Sequence, residues 1–121
     1  MAITPTAGEL QRFGEGHGGP VVMVQLLRFS EGGREAYLRY AAAAQPVLLR
    51  LGAQVLYAGE CTAPLLAPEG QGWDAVVLVR YPSRSAYLQM LADPEYAAIA
   101  HLREAALREA ALLPMDDWPG R

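Results

Sequence analysis

Three polar side chains stand where the chain could hold or transform a small molecule. His101 and Arg103 lie two residues apart on a segment with helical spacing, and Gln25 interrupts an otherwise apolar run. An imidazole can act as a general base near neutral pH, a guanidinium binds anions, and a buried amide needs a hydrogen-bond partner. Together they would supply a base, an anion contact and an orienting amide.

Each of these residues also has a purely structural interpretation. His101 lies away from the apolar side of its helix, so it could simply face solvent. Arg103 lies nearer that side and could pair with a carboxylate such as Asp74 or Glu60 instead of an anionic ligand. Gln25 lines a cavity only if its face of the strand borders one. The sequence leaves both interpretations open for all three.

Aromatic residues near the predicted strands could line the same space as Gln25. Tyr57, Trp73 and Tyr81 are the candidates, although aromatic residues on strands belong to the core more often than to a ligand site. The hypothesis takes His101 as the catalytic residue. It takes as ligand-binding residues Gln25, Arg103, Tyr57, Trp73 and Asp74.

Metal, cofactor and covalent chemistry find little support in the sequence. The two histidines and the single cysteine, Cys61, show no spacing typical of metal ligands, and nothing nearby would activate the thiol. All ten basic residues are arginine. Without lysine, the chain cannot form a Schiff base with pyridoxal phosphate or build a phosphate-binding loop around a lysine. We therefore expect neither a metal nor a cofactor.

Length and charge narrow the class of protein further. A chain of 121 residues is one domain. Its net charge of -3, with arginines dispersed along the sequence, argues against nucleic-acid binding. A single cysteine is typical of a reducing compartment, and no apolar run approaches the length of a membrane span. We expect a cytoplasmic protein that does not bind membranes.

The chain divides into an N-terminal arm, residues 1–19, and one domain, residues 20–118. Thr6 and Glu9 have capping-box spacing, which predicts a short helix in the arm. Residues 14–19 match G-x-G-x-x-G. That motif binds dinucleotides only after a strand and before a helix, and here the order is reversed, so we interpret it as a linker.

Hydrophobic periodicity predicts a β-α-β-β-α-β order within the domain. Strands are expected at 21–29, 53–59 and 73–81, and a last one at 111–118 interrupted at Pro114. The main helices are expected at 34–51, 83–92 and 94–110. This is the ferredoxin-like α+β pattern with an antiparallel sheet. Arg28 and Arg80 close the first and third strands, and we expect them as rim charges at one end of the sheet.

Both faces of the predicted sheet are apolar. Val22, Val24 and Leu26 alternate with Val21, Met23 and Leu27 along the first strand. Right-handed connections place both helices on one face and leave the other bare. Soluble monomers rarely expose so large an apolar surface, so we expect a homodimer joined through the open face.

Several segments resemble the uncharacterised domain-of-unknown-function 1330 family over roughly residues 20 to 114. They are residues 21–29, 35–40, 73–74, 81–84, 93–96 and 101–103, of which Pro-Ser-Arg and Pro-Glu-Tyr are the most specific. Gln25 stands where Asn is usual, and Leu102 where a second histidine often stands. The resemblance implies a dimeric α+β barrel around an internal cavity.

The resemblance further implies membership of the dimeric α+β barrel superfamily. This superfamily includes cofactor-free monooxygenases, lactone isomerases, haem-degrading enzymes and ligand-sensing domains. Membership alone implies no particular reaction. The first functional hypothesis is a small-molecule-binding protein that acts as an enzyme of the monooxygenase or isomerase type and needs no cofactor. The alternative is a dimer without catalytic activity that binds a metabolite or only assembles.

Overall fold

The structure, a computed structural model, describes residues 3–119. Within them the chain forms four helices and four strands: α1 Ala7–Gly14, β1 Val21–Phe29, α2 Gly33–Arg50, β2 Gln54–Glu60, β3 Ala75–Tyr81, α3 Arg84–Ala92, α4 Pro94–Ala106 and β4 Leu107–Met115. The strands form one antiparallel sheet in the order β2-β3-β1-β4. The predicted ferredoxin-like α+β fold is confirmed.

Helices α1, α3 and α4 begin at the predicted caps. In α1 the Thr6 hydroxyl accepts a hydrogen bond from the Glu9 amide at 3.1 Å, and the Glu9 carboxylate accepts one from the Thr6 amide at 2.8 Å. Ser83 caps α3 through the Ala86 amide, and Asp93 caps α4. These side chains satisfy amides that the first helical turn leaves without partners.

The boundary between α4 and β4 differs from the prediction. The helix ends at Ala106 rather than near Ala110, and β4 begins at Leu107 without a loop. Alanine, glutamate, arginine and leucine favour helix in this segment, but pairing with β1 overrides that local preference. Pro114 does not interrupt β4. It lies on an edge strand, where a missing backbone donor is tolerated.

The sheet has one face against the helices and one open face. Met23, Leu27 and Val79 point to the helices and are almost completely buried. The open face carries two apolar rows that cross all four strands. From β2 to β4, the strand register gives the first row as Tyr57, Leu78, Val24 and Leu113. It gives the second row as Gly59, Val76, Leu26 and Ala111.

Arg28 and Arg80 lie at opposite ends of this sheet, so the prediction that they share one end is wrong. The strands are antiparallel, and Arg80 pairs with Val22, six residues from Arg28. Arg28 forms an ion pair with Glu109, and Arg80 lies 3.8 Å from a carboxylate oxygen of Asp117. Charged pairs therefore frame the apolar rows of the open face at both ends.

The beginning of α2 lies directly against the end of α4. The carbonyl oxygen of Ala106 accepts a hydrogen bond from the Ser30 amide at 2.9 Å. A Cβ atom at Gly33 would overlap that same carbonyl oxygen. Only glycine fits this contact between two backbones.

No helix in the described part of the chain is long and apolar enough to cross a membrane.

Candidate functional site

A cavity of about 450 Å³ lies between the helix-facing side of the sheet and the helices. Its wall contains five of the six tyrosines in the chain, which are Tyr37, Tyr40, Tyr81, Tyr87 and Tyr96. The apolar part of the wall includes Leu27, Phe29, Val77, Val79 and Met90. Ligand pockets have volumes of roughly 300 to 1,000 Å³ and combine apolar walls with a few polar groups.

One side of the cavity is bounded by α2 and the edge strand β2. Val55 and Ala58, two of the bounding residues of β2, are exposed, and so is Ala41 on α2. An ion pair joins the two elements at one end, with Arg34 Nε 2.6 Å from an oxygen of Glu60. β2 is an edge strand with no helix on its outer side among residues 3–119, so a ligand could enter between these two elements.

The N-terminal arm bounds another part of the cavity. Thr4 and Pro5 line it, and they also line an adjoining space of about 290 Å³ between the arm and β4. The arm is held by an edge-to-face contact between the rings of Phe13 and Tyr87, whose centroids are 5.4 Å apart. Residues of the predicted arm thus form part of the wall.

The tyrosine hydroxyls form a buried polar surface inside this wall. Those of Tyr40 and Tyr96 share a hydrogen bond of 2.7 Å, and Tyr81 donates to the Met90 sulfur at 3.5 Å. Burial raises the pKa of Tyr37 and of Tyr87 to about 12 and also raises the pKa of Tyr40 and of Tyr81. These groups stay neutral and act as hydrogen-bond donors at physiological pH.

The raised pKa values predict loss of stability in alkaline solution. Below about pH 10 the phenols are protonated in both folded and unfolded chains, so this contribution is fully present. As the pH rises toward 12, the unfolded chain ionises first and folding becomes less favourable, by roughly 1 kcal/mol per tyrosine per pH unit. Urea unfolding at a series of pH values measures this slope. Tyr37→Phe should make it shallower, and a constant stability up to pH 12 would contradict the expectation.

Arg103 is the one charged side chain that is buried within residues 3–119, at 8% exposure. It projects from α4 and lines the cavity. Its Nη1 donates a hydrogen bond of 2.6 Å to the carbonyl oxygen of Ile3 in the arm. The predicted carboxylate partners are wrong, since Glu60 pairs with Arg34 and Asp74 accepts from the Phe29 amide at 2.8 Å.

Gln25 lies on the helix-facing side of β1, between Met23 and Leu27, and lines the cavity. It pairs with Val77 on one side and Leu112 on the other, and both also line the cavity. The structure therefore brings Gln25, Arg103 and Tyr81 to one space. That space lies inside the protomer and not on the open face of the sheet.

The other candidate residues lie elsewhere. His101 is exposed on α4 and does not line the cavity. Tyr57 is 58% exposed on the open face. Trp73 packs under Arg28, whose guanidinium carbon lies 4.4 Å from the ring centroid, and Asp74 binds the backbone of β1. The structure brings none of these four side chains to the cavity.

Four tyrosines of the wall were missed as site residues by the sequence reasoning. Tyr37 and Tyr40 lie three residues apart on α2, and Tyr87 and Tyr96 lie on α3 and α4. The sequence contains a signal for them, which is that these tyrosines lie on the inward faces of separate helices. Such tyrosines must place their hydroxyls in a common interior. The hypothesis included only aromatic residues on or near the predicted strands.

Within residues 3–119, no group of three or more His, Cys, Asp and Glu side chains is placed to hold a metal ion. Cys61 is exposed, and its amide donates to the Asp74 carbonyl oxygen at 2.8 Å.

Comparison with known proteins gives a family and a fold. A family model described as "Domain of unknown function (DUF1330)" matches residues 27–115. A solved protein of unknown function from Rhodopseudomonas palustris is 30% identical, with a TM-score of 0.86, and the match covers 96% of each chain. No curated protein matches the chain.

More distant solved structures share the fold alone. A dimeric protein of unknown function with a ferredoxin-like fold, from Bacteroides fragilis, has a TM-score of 0.58 at 11% identity, over 82% of this chain and 97% of its own. A hydroxynitrile lyase from Passiflora edulis has a TM-score of 0.64 at 12% identity, over 85% of this chain and 100% of its own.

Proposed function

Because the chain belongs to the DUF1330 family, whose function is unknown, we propose a function from its own geometry: it is a homodimer that binds a small organic molecule between sheet and helices in each protomer. The cavity lined by tyrosines carries this proposal. A core without a ligand would be filled by its own side chains, because interiors pack to about the density of organic crystals. Here a space of about 450 Å³ between sheet and helices, open toward α2 and β2, is left unfilled instead.

The chemistry of the wall supports a ligand with both apolar and polar parts. Leucine, valine and methionine side chains offer an apolar surface, while phenol hydroxyls and the Gln25 amide offer directional hydrogen bonds. Such a wall binds a compact, partly polar molecule better than a purely aliphatic one. Buried polar groups left without partners would oppose the binding of a hydrocarbon.

Binding is better supported than proton-transfer catalysis. A general base near neutral pH would be an imidazole or a carboxylate with a raised pKa. Among the described residues of the wall there is no histidine, and hydrogen bonding to Arg34 lowers the pKa of its one carboxylate, Glu60. The proposed function therefore assigns no catalytic role to His101. A monooxygenase- or isomerase-like activity would need the bound molecule to supply its own reactive group.

The homodimer is proposed from the open face of the sheet. Its two apolar rows have no covering element within residues 3–119, and the charged pairs of Arg28 and Arg80 lie only at its ends. A second copy that packs sheet to sheet would bury the rows and leave the charges at the rim, as at other protein interfaces. The ferredoxin-like protein from Bacteroides fragilis is described as dimeric, which supports a dimer, though not a particular interface, by analogy.

Binding can be tested with a neutral fluorescent dye, 6-acetyl-2-dimethylaminonaphthalene. We expect it to bind the wild-type protein with its emission shifted as in an apolar site. Ala41→Trp should weaken binding at least about 10-fold, because Ala41 lines the cavity and an indole would occupy part of it. The matched control is Ala43→Trp, on the same helix but outside the cavity wall.

The control variant should bind the dye like the wild type. Equal binding by both tryptophan variants would show that the dye sits elsewhere, and no binding by the wild type would contradict the proposed function.

A further inference from the structure

We propose that the natural ligand is a small organic monocarboxylate whose carboxylate is bound by Arg103 and whose apolar body fills the tyrosine-lined cavity. This inference rests on the proposed function and names the class of molecule. The first observation is that, among residues 3–119, no carboxylate compensates the charge of Arg103. Burying a guanidinium costs free energy unless an anion balances it.

Within residues 3–119, no carboxylate oxygen lies within 4.0 Å of the Arg103 nitrogens. The Ile3 carbonyl oxygen is a neutral acceptor and uses one N–H group of Nη1. A guanidinium has five N–H groups in a planar fork that matches the two oxygens of a carboxylate. Arg103 lines the cavity, so an anion that enters the cavity from solution can approach its guanidinium.

The charge balance of the wall favours a single negative charge. Its charged residues are Arg34, Glu60 and Arg103. Arg34 and Glu60 neutralise each other as an ion pair, which leaves the one positive charge of Arg103. A phosphate monoester would bring about two negative charges at neutral pH and leave one without a partner. The single negative charge of a monocarboxylate balances the net charge of the cavity wall.

The tyrosines complete the anion site. The charge of Arg103 opposes the effect of burial on the pKa of Tyr37 and of Tyr87, which places both rings within its electrostatic reach. Their neutral hydroxyls can donate to a carboxylate oxygen that the guanidinium leaves free. Leu27, Val79 and Met90 line the same cavity and give the rest of the ligand an apolar surface.

The test compares acids with their amides, which have nearly the same shape but no charge. Calorimetric titration would use 2-naphthoate with 2-naphthamide, and 4-phenylbutyrate with 4-phenylbutyramide, on the wild-type protein. We expect the acid to bind at least about 10-fold more tightly in at least one pair, since hydrogen bonds to an ionised acceptor are roughly twice as strong as neutral ones. Arg103→Met should abolish that preference, so that the acid binds no more tightly than its amide.

Arg39→Met is the matched control, because Arg39 is exposed on α2 and does not line the cavity. It should keep the preference for acids. Two results would overturn the assignment of the ligand as a carboxylate and leave the binding function intact. One is equal affinity for acid and amide, and the other is no acid bound at millimolar concentration while the dye binds. Failure of the dye itself would overturn the binding function. If Arg103→Met does not fold, the comparison of acid and amide on the wild-type protein still tests the carboxylate. Arg103→Lys then replaces the methionine variant, because it keeps the charge and should retain a preference for acids.

Discussion

Replacing Leu78 with arginine should convert the proposed homodimer to a monomer at micromolar concentration. Leu78 lies in the middle of an apolar row, between Tyr57 and Val24, on the open face of the sheet. In a two-fold dimer the substitution would bury two unpaired guanidinium groups. Each costs several kcal/mol, so the dissociation constant should rise by roughly 100-fold or more. Sedimentation velocity measures the change.

Leu49→Arg provides the matched control. Leu49 is 66% exposed on α2 and lies on the other side of the molecule from the open face. The same change of residue there should leave the dimer intact, and far-ultraviolet circular dichroism should show both variants folded. A wild-type monomer would contradict the homodimer, and a Leu78→Arg variant that stays dimeric would place the interface elsewhere.

Gly33→Ala should destabilise the fold by about 2 to 3 kcal/mol, the upper part of the range expected for overpacking. Alanine within a helix normally stabilises a protein by about 0.5 to 1 kcal/mol relative to glycine. The expected change in the free energy of unfolding is therefore opposite in sign to the usual one. The reason is the carbonyl oxygen of Ala106, which a Cβ atom would overlap and which is already bound to the Ser30 amide. Urea unfolding at fixed protein concentration measures the free energy.

Gly18→Ala is the control for this prediction. Gly18 lies in the linker before β1, and a Cβ atom there meets nothing within 4 Å. Its substitution should change stability by less than about 0.5 kcal/mol, as at most surface positions. A Gly33→Ala variant as stable as the Gly18→Ala variant would show that α2 can move away from α4 at little cost.

Patterns within single segments predicted most of the fold. The predicted first strand, 21–29, is β1, and the caps at Thr6, Ser83 and Asp93 lie where their side chains indicate. Apolar periodicity and capping are local, so a single sequence carries them. The start of β4 is not local. Its helix-favouring residues become a strand only because β1 offers an unpaired edge, which no segment shows by itself.

The candidate site was less predictable for the same reason. Alternation along β1 places Gln25 on the same face as Met23 and Leu27, but only the packed helices show that this face borders a cavity. Arg103 was correctly placed on the inward side of α4. Its contact with the Ile3 carbonyl joins residues 100 positions apart, and spacing in the sequence cannot predict it.

The two tryptophans lie away from the buried tyrosines. Trp118 is 81% exposed, and Trp73 lies beneath Arg28 at one end of the sheet. Intrinsic tryptophan emission therefore reports on the C-terminal segment and the sheet end, while the near-ultraviolet dichroism of the tyrosines reports on the interior. Thermal melting recorded with both signals in one sample would distinguish loosening of the periphery from loss of the core.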